Sequence, residues 1–225
     1  MLVSSLLRNY KSLLITAVFL LLYYGVPPIL ANLINPPATY TFFALINFLP
    51  PLIMIGIIHL LYGKNLVKWR NFLHLPYWEI IKTSFKWILM ALGCNMIWVV
   101  ILSVAGLTYQ APAIEEILNS GDYFVSSCIA ILAVIIAPIA EELTFREAIY
   151  HGLRDSNSEK TAMIITSLLF ALAHNELWQI PGLFVLGYLF QKNRNHYGNI
   201  ESAIIAHAFN NFLAILLFFS MQVII

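Results

Sequence analysis

The stretch "VSSCIAILAVIIAPIAEELTFREAIYHGLRD", residues 125–155, opens as a helix suited to lipid and then carries acids into it. Its first thirteen residues are nearly all apolar or small. Glu141 and Glu142 follow while the helix is still expected to run, with Arg146 one turn beyond. Ionisable side chains inside a membrane span are costly and by default mark a site. Pro138 has no N–H for the carbonyl of Val134, so the helix is expected to bend or loosen as it reaches the acids.

The rest of the chain agrees with a lipid environment. Hydrophobic residues make up 60% of the 225 and charged residues 10%, where a soluble domain carries roughly 25% charged. Mean hydropathy is +0.82. These values exclude an ordinary soluble globule and predict an all-α, polytopic transmembrane helix bundle forming one integral membrane domain over 1–225. Seven apolar stretches are read, near 13–33, 40–61, 87–107, 123–153, 160–177, 178–191 and 199–224. The first three and the last are long enough to span, since a bilayer core needs about 20 helical residues, while the fifth and sixth are short. Pro181–Gly182 between those two marks a tight turn, a broken helix or a re-entrant pair. The first stretch is read as a retained span rather than a cleaved signal, since its length suits a span and no small-residue cleavage site is evident. Cys94 and Cys128, lone cysteines in apolar runs, are read as small buried hydrophobes.

The 12 Lys and Arg residues set an orientation. They precede the first span or fall in the second-to-third, fourth-to-fifth and sixth-to-seventh connections. With seven spans all lie on one side, which the positive-inside rule makes cytoplasmic, so the N-terminus is expected inside and the C-terminus outside. Residues 63–86 mix cations with aromatic residues and read as an amphipathic interfacial segment that contacts lipid. No nucleic-acid partner is expected.

Two further clusters join the acids. His174 closes Phe170-Ala-Leu-Ala-His174, and His207 and Asn211 stand four apart near the end. Counted along the chain, Glu141, His174 and His207 lie thirteen, fourteen and thirteen residues from Arg154, Lys160 and Arg194. Each is therefore roughly 20 Å along a helix from a cytoplasmic-side cation, which predicts a common depth. Glu142 and Arg146, at i and i+4, are expected to pair. Glu141 points about 100° away from Glu142, toward another partner. Any one cluster is equally readable as packing: an ion pair, a hydrogen-bonded histidine, polar ties between helices. Three at one depth suit peptide-bond hydrolysis, with a carboxylate and a histidine activating water and the other histidine and the amide stabilising an oxyanion. A zinc site on Glu141, His174 and His207 is the second chemical option, although the HExxH spacing is absent. A proton-coupled transporter is a third reading, against which no inverted repeat is visible.

EExxxR, FxxxH and HxxxN on successive membrane helices resemble the CPBP family of intramembrane proteases. That family includes CAAX prenyl endopeptidases and the bacterial Abi, or bacteriocin-immunity, proteins. The resemblance covers about 123–224. It implies Glu141 as the catalytic carboxylate acting with His174, His207 and Asn211 as the oxyanion pair, and Glu142 and Arg146 as support. It implies a membrane-associated peptide or protein as substrate and the plasma membrane of a bacterium as location. No cofactor is firmly implied, since both zinc-dependent and metal-free mechanisms have been put forward for the family. Self-immunity or signalling by binding a partner is the alternative function. The short 174–199 connection suggests a trimmed helix arrangement relative to the eukaryotic prenyl-protein enzymes.

Overall fold

The computed structural model describes residues 2–25, 29, 40–63, 66–109, 115, 118, 119 and 121–222. Every regular element among them is helical. The helices are α1 (Leu2–Leu20, continued by a π-turn Leu21–Gly25), α2 (Tyr40–Tyr62), α3 (Trp69–Phe72) and α4 (Tyr77–Val104). They continue as α5 (Tyr123–Arg154), α6 (Glu159–Leu172), α7 (Ile180–Tyr197) and α8 (Glu201–Gln222). Three are long and apolar enough to cross a membrane: α4, α5 and Glu201–Ser220 of α8. Tyr10–Gly25 and Ile46–Tyr62 are shorter apolar helices. Helix α6, with 14 residues, rises only about 21 Å and is too short for a full span on its own.

The boundaries differ from the sequence expectation in instructive places. The first helix begins at Leu2 rather than near 13; most of the far end of that expected span, 26–28 and 30–33, lies outside the described residues. Helix α4 begins at Tyr77, ten residues before the expected start. Its first turns are amphipathic, with Ile80, Ser84, Ile88 and Ala91 buried along one stripe. Lys82 pairs with Glu79 on the exposed face at 3.3 Å. A uniformly apolar window passes over such an entry. Between α6 and α7 the chain makes a turn at 173–175 and a short 3-10 segment Leu177–Gln179, so the interruption falls ahead of Pro181–Gly182 rather than at them. Pro181 falls in the first turn of α7, where its missing N–H costs nothing.

Contacts divide the chain into two compact units. The first comprises Met1–Val67 and Ala113–Glu159. In it α1 packs on the second half of α5, and α2 packs along α5's first two-thirds. Ile15, Phe19 and Leu22 form one stripe of α1, and Met54 and Ile58 one of α2, all buried. Lys11 Nζ donates to the carbonyl of Leu61 at 2.7 Å and lies over the Tyr62 ring, closing the end of α2 with a cation where its carbonyls accumulate. Helix α5 starts at Asp122, whose Oδ1 accepts from the N–H groups of Phe124 and Val125 at 3.0 and 3.1 Å.

The second unit comprises Lys68–Pro112 and Lys160–Ile225. Helix α7 lies between α4 and α8. Two glycines let it approach its neighbours. A Cβ on Gly187 would meet Phe170 Cδ1 at 3.1 Å and Ser167 Cα at 3.3 Å. A Cβ on Gly182 would lie 2.4 Å from Asn95 Nδ2, and the Gly182 N–H donates to Asn95 Oδ1 at 2.8 Å. Gly182→Ala must displace that amide, costing about 1–3 kcal/mol. The expected result is a melting temperature lower by several degrees in detergent, with most of the loss absent in an Asn95→Ala background. Equal losses in both backgrounds would refute the contact.

Glu201, in the first turn of α8, is buried and accepts from the Lys68 N–H and from Asn71 Nδ2. One carboxylate thus ties the interfacial segment around α3 to α8. Such bonds to a charged acceptor are worth about 1.5–3 kcal/mol. Glu201→Ala should therefore speed amide exchange at 68–73 by roughly ten- to a hundredfold, read by hydrogen–deuterium exchange. Unchanged protection there would show the segment to be held by other contacts.

Candidate active site

In the first unit the sequence makes an unusual helix. Segment Ala137–Glu142 is α-helical, but it is flanked by π-helical segments at Leu132–Ile136 and Leu143–Ile149. The Ala137 N–H reaches back to the carbonyl of Leu132, and that of Tyr150 to Phe145, both five residues away. Pro138 supplies one cause, since a missing donor disturbs the i−4 ladder just ahead of the acids. Thr144 supplies another: its hydroxyl donates to the Ala140 carbonyl at 2.7 Å and competes for the acceptor. The loosening expected from Pro138 is thus observed as π-turns, which often accompany functional positions in helices.

Glu142 and Arg146 form the expected pair. Arg146 Nε lies 3.0 Å from Glu142 Oε2, with both side chains fully buried. Arg146 also sits over the Phe145 ring at 5.8 Å. Glu141 is half-buried. It is not wholly separate from the pair, as the spacing suggested, because Arg146 interacts electrostatically with it as well as with Glu142. Tyr23 and Tyr24, from the π-turn that ends α1, interact with it too.

In the second unit His174 stands in the turn after α6 rather than inside a helix. The helix breaks here as the His174 N–H turns to the Ala171 carbonyl at 3.3 Å. The imidazole Nδ1 takes the Phe170 carbonyl at 2.8 Å instead. A carbonyl only accepts, so Nδ1 carries the proton and Nε2 has the lone pair. Asn175, at φ 53°, completes the turn in the left-handed region.

His207, on α8, is buried and lies nearly flat on Phe190 of α7, with ring centroids 4.6 Å apart and planes at 14°. Phe170 meets its edge at 5.7 Å and also touches the His174 ring at 4.6 Å. One phenylalanine therefore touches both histidines. Asn211 follows His207 by one turn, and its Oδ1 accepts from Asn210 Nδ2 at 3.0 Å, leaving the amide nitrogen to act as the donor side of the group. Sequence reasoning missed Phe190, seventeen residues before His207 on another helix, because nothing in its local pattern distinguishes it from lipid-facing phenylalanines. Gly187, three residues ahead of it and in contact with Phe170, was the available signal.

Among the described residues no three His, Cys, Asp or Glu side chains cluster as a metal site. The histidines instead use their rings on a carbonyl and on aromatic faces.

Part of the chain is similar to known proteins. A family model described as type II CAAX prenyl endopeptidase Rce1-like matches residues 124–213, which include all three motifs. Over 139 residues the chain is 29% identical to UPF0177 protein YbdI of Lactococcus lactis subsp. lactis, covering 57% of this chain and 75% of that protein. It is 36% identical over 83 residues to UPF0177 protein YxdF of the same organism, covering 35% of this chain and 44% of the relative. No solved structure matches. Apolar spans, the EExxxR, FxxxH and HxxxN motifs and the matched stretch lead to one conclusion: residues 124–213 of this integral membrane protein are similar to the Rce1-like family of type II CAAX prenyl endopeptidases.

Proposed function

We propose that the protein is an intramembrane endopeptidase that hydrolyses a peptide bond of a membrane-associated peptide or protein without a metal. Glu141 removes a proton from water, with His174 Nε2 assisting, as the water oxygen bonds to the scissile carbonyl carbon. His207 and the Asn211 amide donate to the oxyanion that forms. The proton then passes to the leaving amine as the C–N bond breaks. Glu142 and Arg146 hold the helix that presents Glu141. The observation that carries this reading is that the family match spans every motif residue, 141 to 211. The tautomer imposed on His174 by Phe170 supports it, since it leaves Nε2 as the acceptor.

The reading extends to a seven-span bundle in the plasma membrane of a bacterium, with the N-terminus in the cytoplasm, by the placement of cations described above. The partners it implies are lipid and the substrate. The test is purification in detergent, metal analysis and a screen of fluorogenic peptides, run on wild type and Glu141→Ala together. Metal-independent cleavage by the wild type alone is expected. Equal cleavage by both preparations would sink the mechanism, and loss of activity on chelation would sink its metal-free form.

A further inference from the structure

The N-terminal helix lies outside the stretch that carries the family's motifs, yet it reaches Glu141. Helix α1 packs against the π-segment Leu143–Ile149. Phe19 meets Phe145 edge-on, with ring centroids 5.3 Å apart. Tyr23, one turn further along, stacks on Phe19 at 4.3 Å. Its ring is therefore held on Phe19, whose other aromatic neighbour, Phe145, is a single turn from Glu141.

The other end of that ring is the notable part. The Tyr23 hydroxyl is buried and makes no hydrogen bond among the described residues. A buried polar atom of this kind costs about 1–3 kcal/mol, so native proteins keep few of them and those kept usually serve a ligand or a reaction. Tyr23 interacts electrostatically with Glu141. The π-turn at Leu21–Gly25 sets the local register of α1, and a wider turn of this kind re-aims side chains relative to a regular helix.

We propose that Tyr23 is a further catalytic residue, whose phenol O–H donates to the oxygen of the attacking water while Glu141 accepts one of its hydrogens. This rests on the assignment of Glu141 as the base. This arrangement leaves the second hydrogen of the water for His174 and the water's second lone pair for the scissile carbonyl, and Tyr23 keeps its own proton throughout. Tyr24 is a natural control: it also interacts with Glu141, but it is exposed.

The experiment uses full-length protein in detergent and a fluorogenic peptide that the wild type cleaves. Tyr23→Phe preserves the ring stack and removes only the hydroxyl. It is expected to lower kcat about ten- to a hundredfold, the usual cost of losing orientation at the reacting atom, with KM within about twofold of wild type. Tyr24→Phe should stay close to wild type. A second measurement needs no turnover: the melting temperature of Tyr23→Phe, Glu141→Gln and the double variant. Linked groups give non-additive changes, so the effect of Tyr23→Phe should differ between the wild-type and Glu141→Gln backgrounds. A wild-type kcat for Tyr23→Phe, an equal loss in Tyr24→Phe, or additive melting changes would overturn the proposal. Cleavage retained by Glu141→Gln would overturn the assignment of the base instead, and the melting cycle would still decide whether Tyr23 and Glu141 are linked.

Discussion

Glu141→Gln is expected to lower kcat by about a thousandfold or more, with little change in melting temperature. Glutamine keeps the shape and the hydrogen-bonding reach of glutamate but cannot take a proton from water, and a positioned base typically contributes about 10²–10⁴ in rate. Glutamine also removes a charge that interacts with Arg146. That arginine still has Glu142 at 3.0 Å, so the fold should tolerate the change. His174→Ala is expected to lose a similar amount. The informative variant is the double one. Two groups that act on a single water are strongly non-additive, since losing either already disables the step. The double variant should therefore be little worse than either single. Independent, multiplying losses would show that the two residues serve different steps, and cleavage above about a tenth of wild type in Glu141→Gln would remove it from the base role.

The second large effect is one of stability. Arg146→Met should lower the melting temperature in detergent by about 10 °C or more. Both members of the Glu142–Arg146 pair are fully buried, and removing one partner leaves the other charge uncompensated, which costs about 3–5 kcal/mol. For a chain of this size each kcal/mol moves the midpoint by roughly 2–4 °C. Replacing both, as Glu142→Gln with Arg146→Met, should recover most of the loss, because neutral groups of similar volume do not carry the desolvation cost of a lone charge. If the single variant melts with the wild type, the pair contributes nothing to the fold. If the double variant melts as low as the single, the loss comes from packing against Phe145 rather than from charge.

These variants also mark how far residues alone were informative. The Glu142–Arg146 pair was legible because i and i+4 positions meet on any helix, whatever surrounds it. Residue order gave the helical class and the lipid environment for a similar reason: a chain with so few charges has to satisfy its backbone internally and show apolar side chains to lipid. The start of α4 at Tyr77 was missed because its entry is amphipathic, so half of its residues are polar although one stripe is fully buried. The placement of His174 was missed by a turn. Helix α6 stops at Leu172 as the imidazole competes with backbone donors for the Phe170 carbonyl, a contest that periodicity does not record.

The sequence by itself determined that this is an all-helical membrane protein and which ionisable residues stand in its apolar stretches, because composition and spacing are local properties of the chain. Tertiary structure decided the rest. It set the phenylalanine shared by His174 and His207, the flat stack of His207 on Phe190 and the approach of Tyr23 to Glu141. Each of these depends on helices distant in sequence coming into van der Waals contact. Short-range rules carry no information about which faces will meet, whereas packing at fixed distance between two helices selects one partner for each ring and each charge.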